Sequence, residues 1–151
     1  MNIEINKEFK EEYIVKENHS AKNMGSGDLE VLATPSLVSF MENAAKNHLN
    51  TLLTADYGSV GSNININHIS PTLIGKKITI TGKITQVIKD KIIIFSLEAF
   101  ENDKKIGDAE HTRVIIKGWN KFDKLSVNIQ LVSKVKNENR GMICPQKLDL
   151  G

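Results

Sequence analysis

Cysteine is almost absent from this 151-residue chain: Cys144 stands alone, near the end. One thiol excludes an internal disulfide, and with no CxxC pair or Cys/His cluster no zinc site is expected. Aromatic residues are scarce at 5%, and no segment interleaves them with Arg or Lys as a base-stacking platform requires. A surplus of one charge is lacking too, since a formal net charge of +2 leaves no basic footprint for nucleic acid. The longest apolar run, Ile92-Ile93-Ile94-Phe95, is strand-sized and far short of the ~18 residues of a membrane helix. The first ten residues mix acidic and basic groups without the apolar stretch of a signal peptide. The expectation is a cytoplasmic protein with neither nucleic acid nor membrane as partner.

What is present is a composition of 40% hydrophobic and 25% charged residues, that of a globular domain. The length suits one domain, able to bury roughly two thirds of its unfolded surface without a disulfide or metal staple. Residues 8 to 17 suggest a short strand, and Asn23 to Asp28 has the composition of a loop. Thr34-Pro35 looks like an N-cap followed by proline at the first helical position. From about residue 35 to 52, Leu37, Phe40, Met41, Ala44, Ala45, Leu49 and Leu52 fall on one arc of a helical wheel. From 57 to 117 the period changes to two. Ile64 and Ile66 alternate with Asn63, Asn65 and Asn67; Ile78, Ile80, Gly82, Ile84 and Gln86 alternate with polar residues. Runs at 92 to 100 and 108 to 117 follow, separated by the turn-like segments 89 to 91 and 102 to 104. One apolar helix and a series of hairpins predict an α+β fold, a curved antiparallel sheet wrapped around one long central helix. This domain is expected to span residues 1–118. In the tail, 119–151, Leu125, Val127, Ile129 and Leu131 alternate as in a strand, while Lys136 to Arg140 reads as solvated loop.

Three stretches carry a resemblance: Val31 to Ala45, which includes Thr34 and Glu42; Gly58 to Gly75, which includes Gly61, His68 and Pro71; and Gly107 to Ile115, which includes His111 and Arg113. In this order and spacing they resemble the fluoroacetyl-CoA-thioesterase-like hotdog family over roughly residues 5 to 118. The resemblance implies the hotdog fold and hydrolysis of an acyl-CoA thioester. It implies a catalytic set of Thr34, Glu42 and His68, with Gly61 offering a backbone N–H to the thioester oxygen. No cofactor is implied, coenzyme A being part of the substrate, and the usual assembly is a homodimer with sites at the interface. The fluoroacetyl-specific form of the family has aromatic residues ahead of the helix. Met24 to Ala33 contains none, so a general or different acyl-CoA is the better expectation.

Each candidate also has a plainer reading. Glu42 lies on the wheel among Val38, Ala45, Leu49 and Leu53, at the edge of the buried arc, where partial desolvation suits a carboxylate to proton transfer or attack. Otherwise it is a boundary glutamate with its head in water. Capping alone would explain Thr34. Eight residues of helix span about 12 Å, so Thr34 and Glu42 meet only if the preceding loop folds back or a second subunit contributes. His68 ends an alternating strand, where an imidazole can protonate a leaving thiolate or stabilise an oxyanion. Arg113, the other candidate substrate-binding residue, would either help hold CoA or pair with a surface carboxylate. His48 falls in the apolar helix face as a core or interface residue. Lys76, Lys77, Lys83, Lys89 and Lys91 would either meet CoA phosphates or keep a strand edge solvated.

Two rivals were weighed against hydrolysis. An enoyl-CoA hydratase wants an Asp five residues before its His, but Asn63 precedes His68 here, and an amide cannot act as an acid or base. A non-catalytic acyl-CoA-binding protein would use the same pocket without turnover.

Overall fold

The structure, a computed structural model, describes residues 2–118, so the expectations for the tail at 119–151 lie outside the described residues. Five strands form one antiparallel sheet: β1 (Phe9–Ile14), β2 (Tyr57–His68), β3 (Lys77–Ile88), β4 (Ile92–Glu101) and β5 (Lys104–Lys117). Their order across the sheet is β1-β3-β4-β5-β2. A 3-10 turn (Glu17–His19) and the short α1 (Ala21–Met24) precede the long α2 (Thr34–Leu52).

Periodicity explains the packing. Leu37, Phe40, Met41, Ala44, Ala45 and Leu49 are the buried stripe of α2. The sheet meets that stripe with Ile78, Ile80 and Ile84 from β3, Ile93, Phe95, Leu97 and Ala99 from β4, and Ile106, Ala109 and Ile115 from β5. Burial of each large apolar side chain contributes roughly 1.5–3 kcal/mol. Gly82 on β3 is required by close approach: a Cβ there would lie 2.5 Å from Leu97 Cδ2 and 2.6 Å from Phe9 Cζ. Phe9 fills that space and stacks on His48 at a centroid distance of 4.2 Å, which ties β1 to the helix.

Tight turns set the register. Lys89 and Asp90 both have positive φ, 54° and 52°, the backbone of a two-residue hairpin turn matched to strand twist. A register shift between Ile84 and Gln86 reverses the alternation on β3, which is why Gln86 is exposed instead of continuing the inner row. A second shift, between Gly61 and Asn63, bulges β2 against β5. β2 is an edge strand with its outer side unpaired among the described residues. No helix among them is long and apolar enough to cross a membrane.

Candidate active site

The first cluster forms where α2 begins. Thr34 is the first helical residue, not the cap: Ala33 occupies the N-cap position and no side chain caps it. This corrects the capping expectation, and the reason is that the Thr34 hydroxyl is engaged elsewhere. Its Oγ1 lies 2.8 Å from His68 Nδ1. His68 is held there because β2 ends on it and the next two amides, Ile69 and Ser70, both donate to the Ile106 carbonyl. The imidazole is half-buried, and its Nε2 has no hydrogen-bond partner among the described residues. Burial pushes its pKa below the ordinary value, with the Ser70 backbone opposing. A neutral imidazole in contact with a hydroxyl can pass a proton in either direction.

The pair borders a cavity of about 300 Å³ lined by Ala21, Val31, Thr34, Pro35, His68 and Ile69, among others. One wall is the segment before the helix, pinned by bridges from Ser20 to Leu32 and from Val31 to Leu73. Ser36 Oγ also donates to Met24 Sδ at 2.9 Å. That wall contains no aromatic side chain, in line with the sequence.

The second cluster lies at the middle of α2. Glu42 is half-buried, at the edge of the apolar stripe. Its carboxylate faces the β2 bulge so closely that a Cβ on Gly61 would lie 2.7 Å from Glu42 Oε2. The same point is 3.2 Å from His111 Cε1 and 3.3 Å from Arg113 Nη1. A side chain here would force the Glu42 carboxylate to shift and would crowd the other two groups. Arg113 is 6% exposed. It donates from Nε to Ser59 Oγ at 2.9 Å and from Nη2 to the Ser59 carbonyl at 3.2 Å. The alternative of pairing with a surface carboxylate is therefore not met, because the guanidinium points into the fold. Burial lowers its pKa and the Glu42 charge opposes that shift.

His111, 1% exposed, completes the cluster. The sequence placed it in the last strand without a role, and Ser59 went unnoticed. A signal existed: residues 109, 111, 113 and 115 share one face of a strand, and Ala109 and Ile115 mark that face as inward. Within the chain the structure brings Thr34 to His68, and Glu42 to Gly61 and Arg113, but it does not join the two sets. His48 stacks on Phe9 away from both, and Lys77 pairs with Glu12 at 3.3 Å on the surface.

The family model for FlK, fluoroacetyl-CoA-specific thioesterase, matches residues 15–118. No curated protein matches. Among solved structures, a mutant of FlK with fluoroacetate and CoA is 23% identical, covering 80% of this chain and 99% of that one at a TM-score of 0.73. A hypothetical protein of Thermus thermophilus, described as a thioesterase superfamily member, is 20% identical over 89% of this chain and 98% of its own, with a TM-score of 0.77. A hot-dog-like protein from Thermanaerovibrio acidaminovorans is 16% identical over 83% and 93%, with a TM-score of 0.73. These likenesses establish the hotdog fold, and the family match extends over nearly all the described residues. The chain belongs to the fluoroacetyl-CoA-specific thioesterase family and is a thioester hydrolase.

Proposed function

We propose that the protein hydrolyses acyl-CoA thioesters at a site shared between two copies of the chain, Glu42 and Gly61 coming from one and Thr34 and His68 from the other. The observation that carries this reading is the carboxylate of Glu42 set against the bare backbone of Gly61, 2.7 Å from where a Cβ would be. A thioester laid along that backbone meets a carboxylate on one side and amide N–H groups on the other. Glu42 takes a proton from an attacking water, and the oxygen adds to the carbonyl carbon. The oxyanion is stabilised by the Gly61 N–H and the positive end of α2. Collapse breaks the C–S bond, and the departing thiolate receives a proton, with His68 as its donor or relay. Direct attack by Glu42, giving a mixed anhydride, uses the same geometry. Single turnover in labelled water separates the two routes, because label entering Glu42 reports the anhydride.

Two copies are invoked because one chain keeps the groups apart. Thr34 and Glu42 are separated by about 12 Å of helix, and Gly61 and His68 by about 23 Å of strand. The edge of β2 that is unpaired among the described residues would supply the joint. Antiparallel pairing of β2 with a second copy, centred between Ile64 and Asn65, sets Gly61 of one chain opposite His68 of the other. The substrate is a general acyl-CoA, since the cavity wall ahead of α2 has no aromatic side chain to select a fluorinated acetyl group. No cofactor is needed.

The test is thiol release from a panel of acyl-CoAs, with Glu42→Ala as control. Release that depends on Glu42 supports the proposal. Tight acyl-CoA binding with no release from any substrate overturns it.

A further inference from the structure

We propose that His111 is a positioning residue: a neutral, buried imidazole that fixes Arg113 beside Glu42, so that the guanidinium charge faces the carboxylate over Gly61. The proposal rests on the reading that Glu42 performs the chemistry.

Hydrogen bonding leaves His111 only one state. Its Nδ1 lies 2.7 Å from the Asn63 carbonyl, which can only accept, so Nδ1 carries the proton. Its Nε2 lies 3.2 Å from Arg113 Nη1, and a guanidinium can only donate, so Nε2 presents its lone pair. A protonated ring would set a second N–H against the guanidinium. The two bonds also join different parts of the fold, one ending on the residue that follows the β2 bulge and the other on the cation facing Glu42. Bulge and guanidinium are thus held in register by one ring.

The surroundings keep that ring neutral. The charged groups facing it are Arg113 on its own strand and Glu42 from α2; β2 offers the Asn63 carbonyl, and β4 offers Phe95 at a centroid distance of 6.2 Å. Burial lowers the imidazole pKa most; the hydrogen bond to the Asn63 carbonyl and the Glu42 charge oppose it, the Arg113 charge adds to it, and the net shift is downward. Acid is therefore expected to disable the enzyme at His111, where a second ring proton has no acceptor. Protonation would break the bond to Arg113 and release the counter-charge of the carboxylate.

Two variants separate positioning from mere packing. His111→Phe keeps a ring and removes both hydrogen bonds; His111→Gln keeps an acceptor within reach of Arg113. Thiol release against pH is measured for both, for the wild type and for Glu42→Gln, with melting curves alongside. His111→Phe is expected to lower kcat on the order of 100-fold, the scale of a small misplacement of a catalytic group, with KM for acyl-CoA little changed. His111→Gln is expected to restore most of kcat, and its acid limb is expected to be shallower by one proton because the amide does not titrate. A folded His111→Phe variant with wild-type kcat overturns the proposal, as does a His111→Gln variant whose acid limb keeps the wild-type slope. If His111→Phe does not fold, the His111→Gln slope decides alone. Undiminished turnover by Glu42→Gln sinks the underlying site reading instead, whatever the His111 variants do.

Discussion

Thr34 and His68 meet through one hydrogen bond at the rim of an open cavity, whereas Glu42 lies further along α2 against a network whose donors and acceptors are assigned by their partners. In stability the rim pair tolerates change, since Thr34 is exposed and a lost contact can be replaced by water. The inner cluster does not, because a buried guanidinium or imidazole deprived of its partners costs several kcal/mol. The proposed chemistry draws on both clusters, and adaptation to a particular acyl group is expected in the segment before α2, which lines the cavity.

The sharpest way to break this comparison is to separate its halves. Glu42→Ala and His68→Ala are each expected to lose between about 100- and 10,000-fold in kcat, the range of general acid–base contributions. After subunit exchange of an equal mixture, about a quarter of wild-type thiol release returns, because half the dimers are mixed and each holds one intact site. No recovery would mean that each chain carries a whole site.

Gly61→Ala comes next. Its methyl would displace the Glu42 carboxylate, with an expected loss of about 100-fold in kcat. The methyl also presses on the buried His111 and Arg113, so the melting temperature is expected to fall modestly, and a melting curve beside the kinetic assay checks both. Thr34→Val removes the hydroxyl while keeping shape, and about a 10-fold loss in kcat is expected, with Thr34→Ser near wild type. Its stability should change by less than about 0.5 kcal/mol in urea titration. A drop of about 1 kcal/mol would restore the capping role.

The smallest effect is on stability against pH. Burial lowers the pKa of His48, His68 and His111. The unfolded chain takes up protons near the ordinary imidazole value of about 6.5, while the folded chain resists until lower pH. Below that value the unfolded state holds more protons, so stability falls with acidification and levels off above it. Melting temperatures at about pH 5.5 and about pH 7.5 test the sign.

Much of this was legible in the sequence. The stripe from Leu37 to Leu49 fixed the helix to within one residue of its observed start, and alternation fixed the four long strands. Glu42 was placed at the edge of the buried face by angle alone. Thr34 was misassigned as a cap because its true partner, His68, is 34 residues away and local reasoning sees only the adjacent proline. Arg113 resisted for a different reason. An arginine in an alternating strand is ordinarily outward, and its burial depends on two hydrogen bonds to Ser59, which only the β2–β5 register brings alongside it.

The unpaired side of β2 also bears on how the chain survives synthesis. Among the described residues the strand's outer backbone groups have no partner strand, and such an edge is a template both for ordered pairing and for indiscriminate strand addition. The bulge at Gly61–Asn63 acts on that balance. It bends the edge so that a straight strand fits poorly, which disfavours indiscriminate addition. The irregularity that makes room for a carboxylate would thus also help protect the edge.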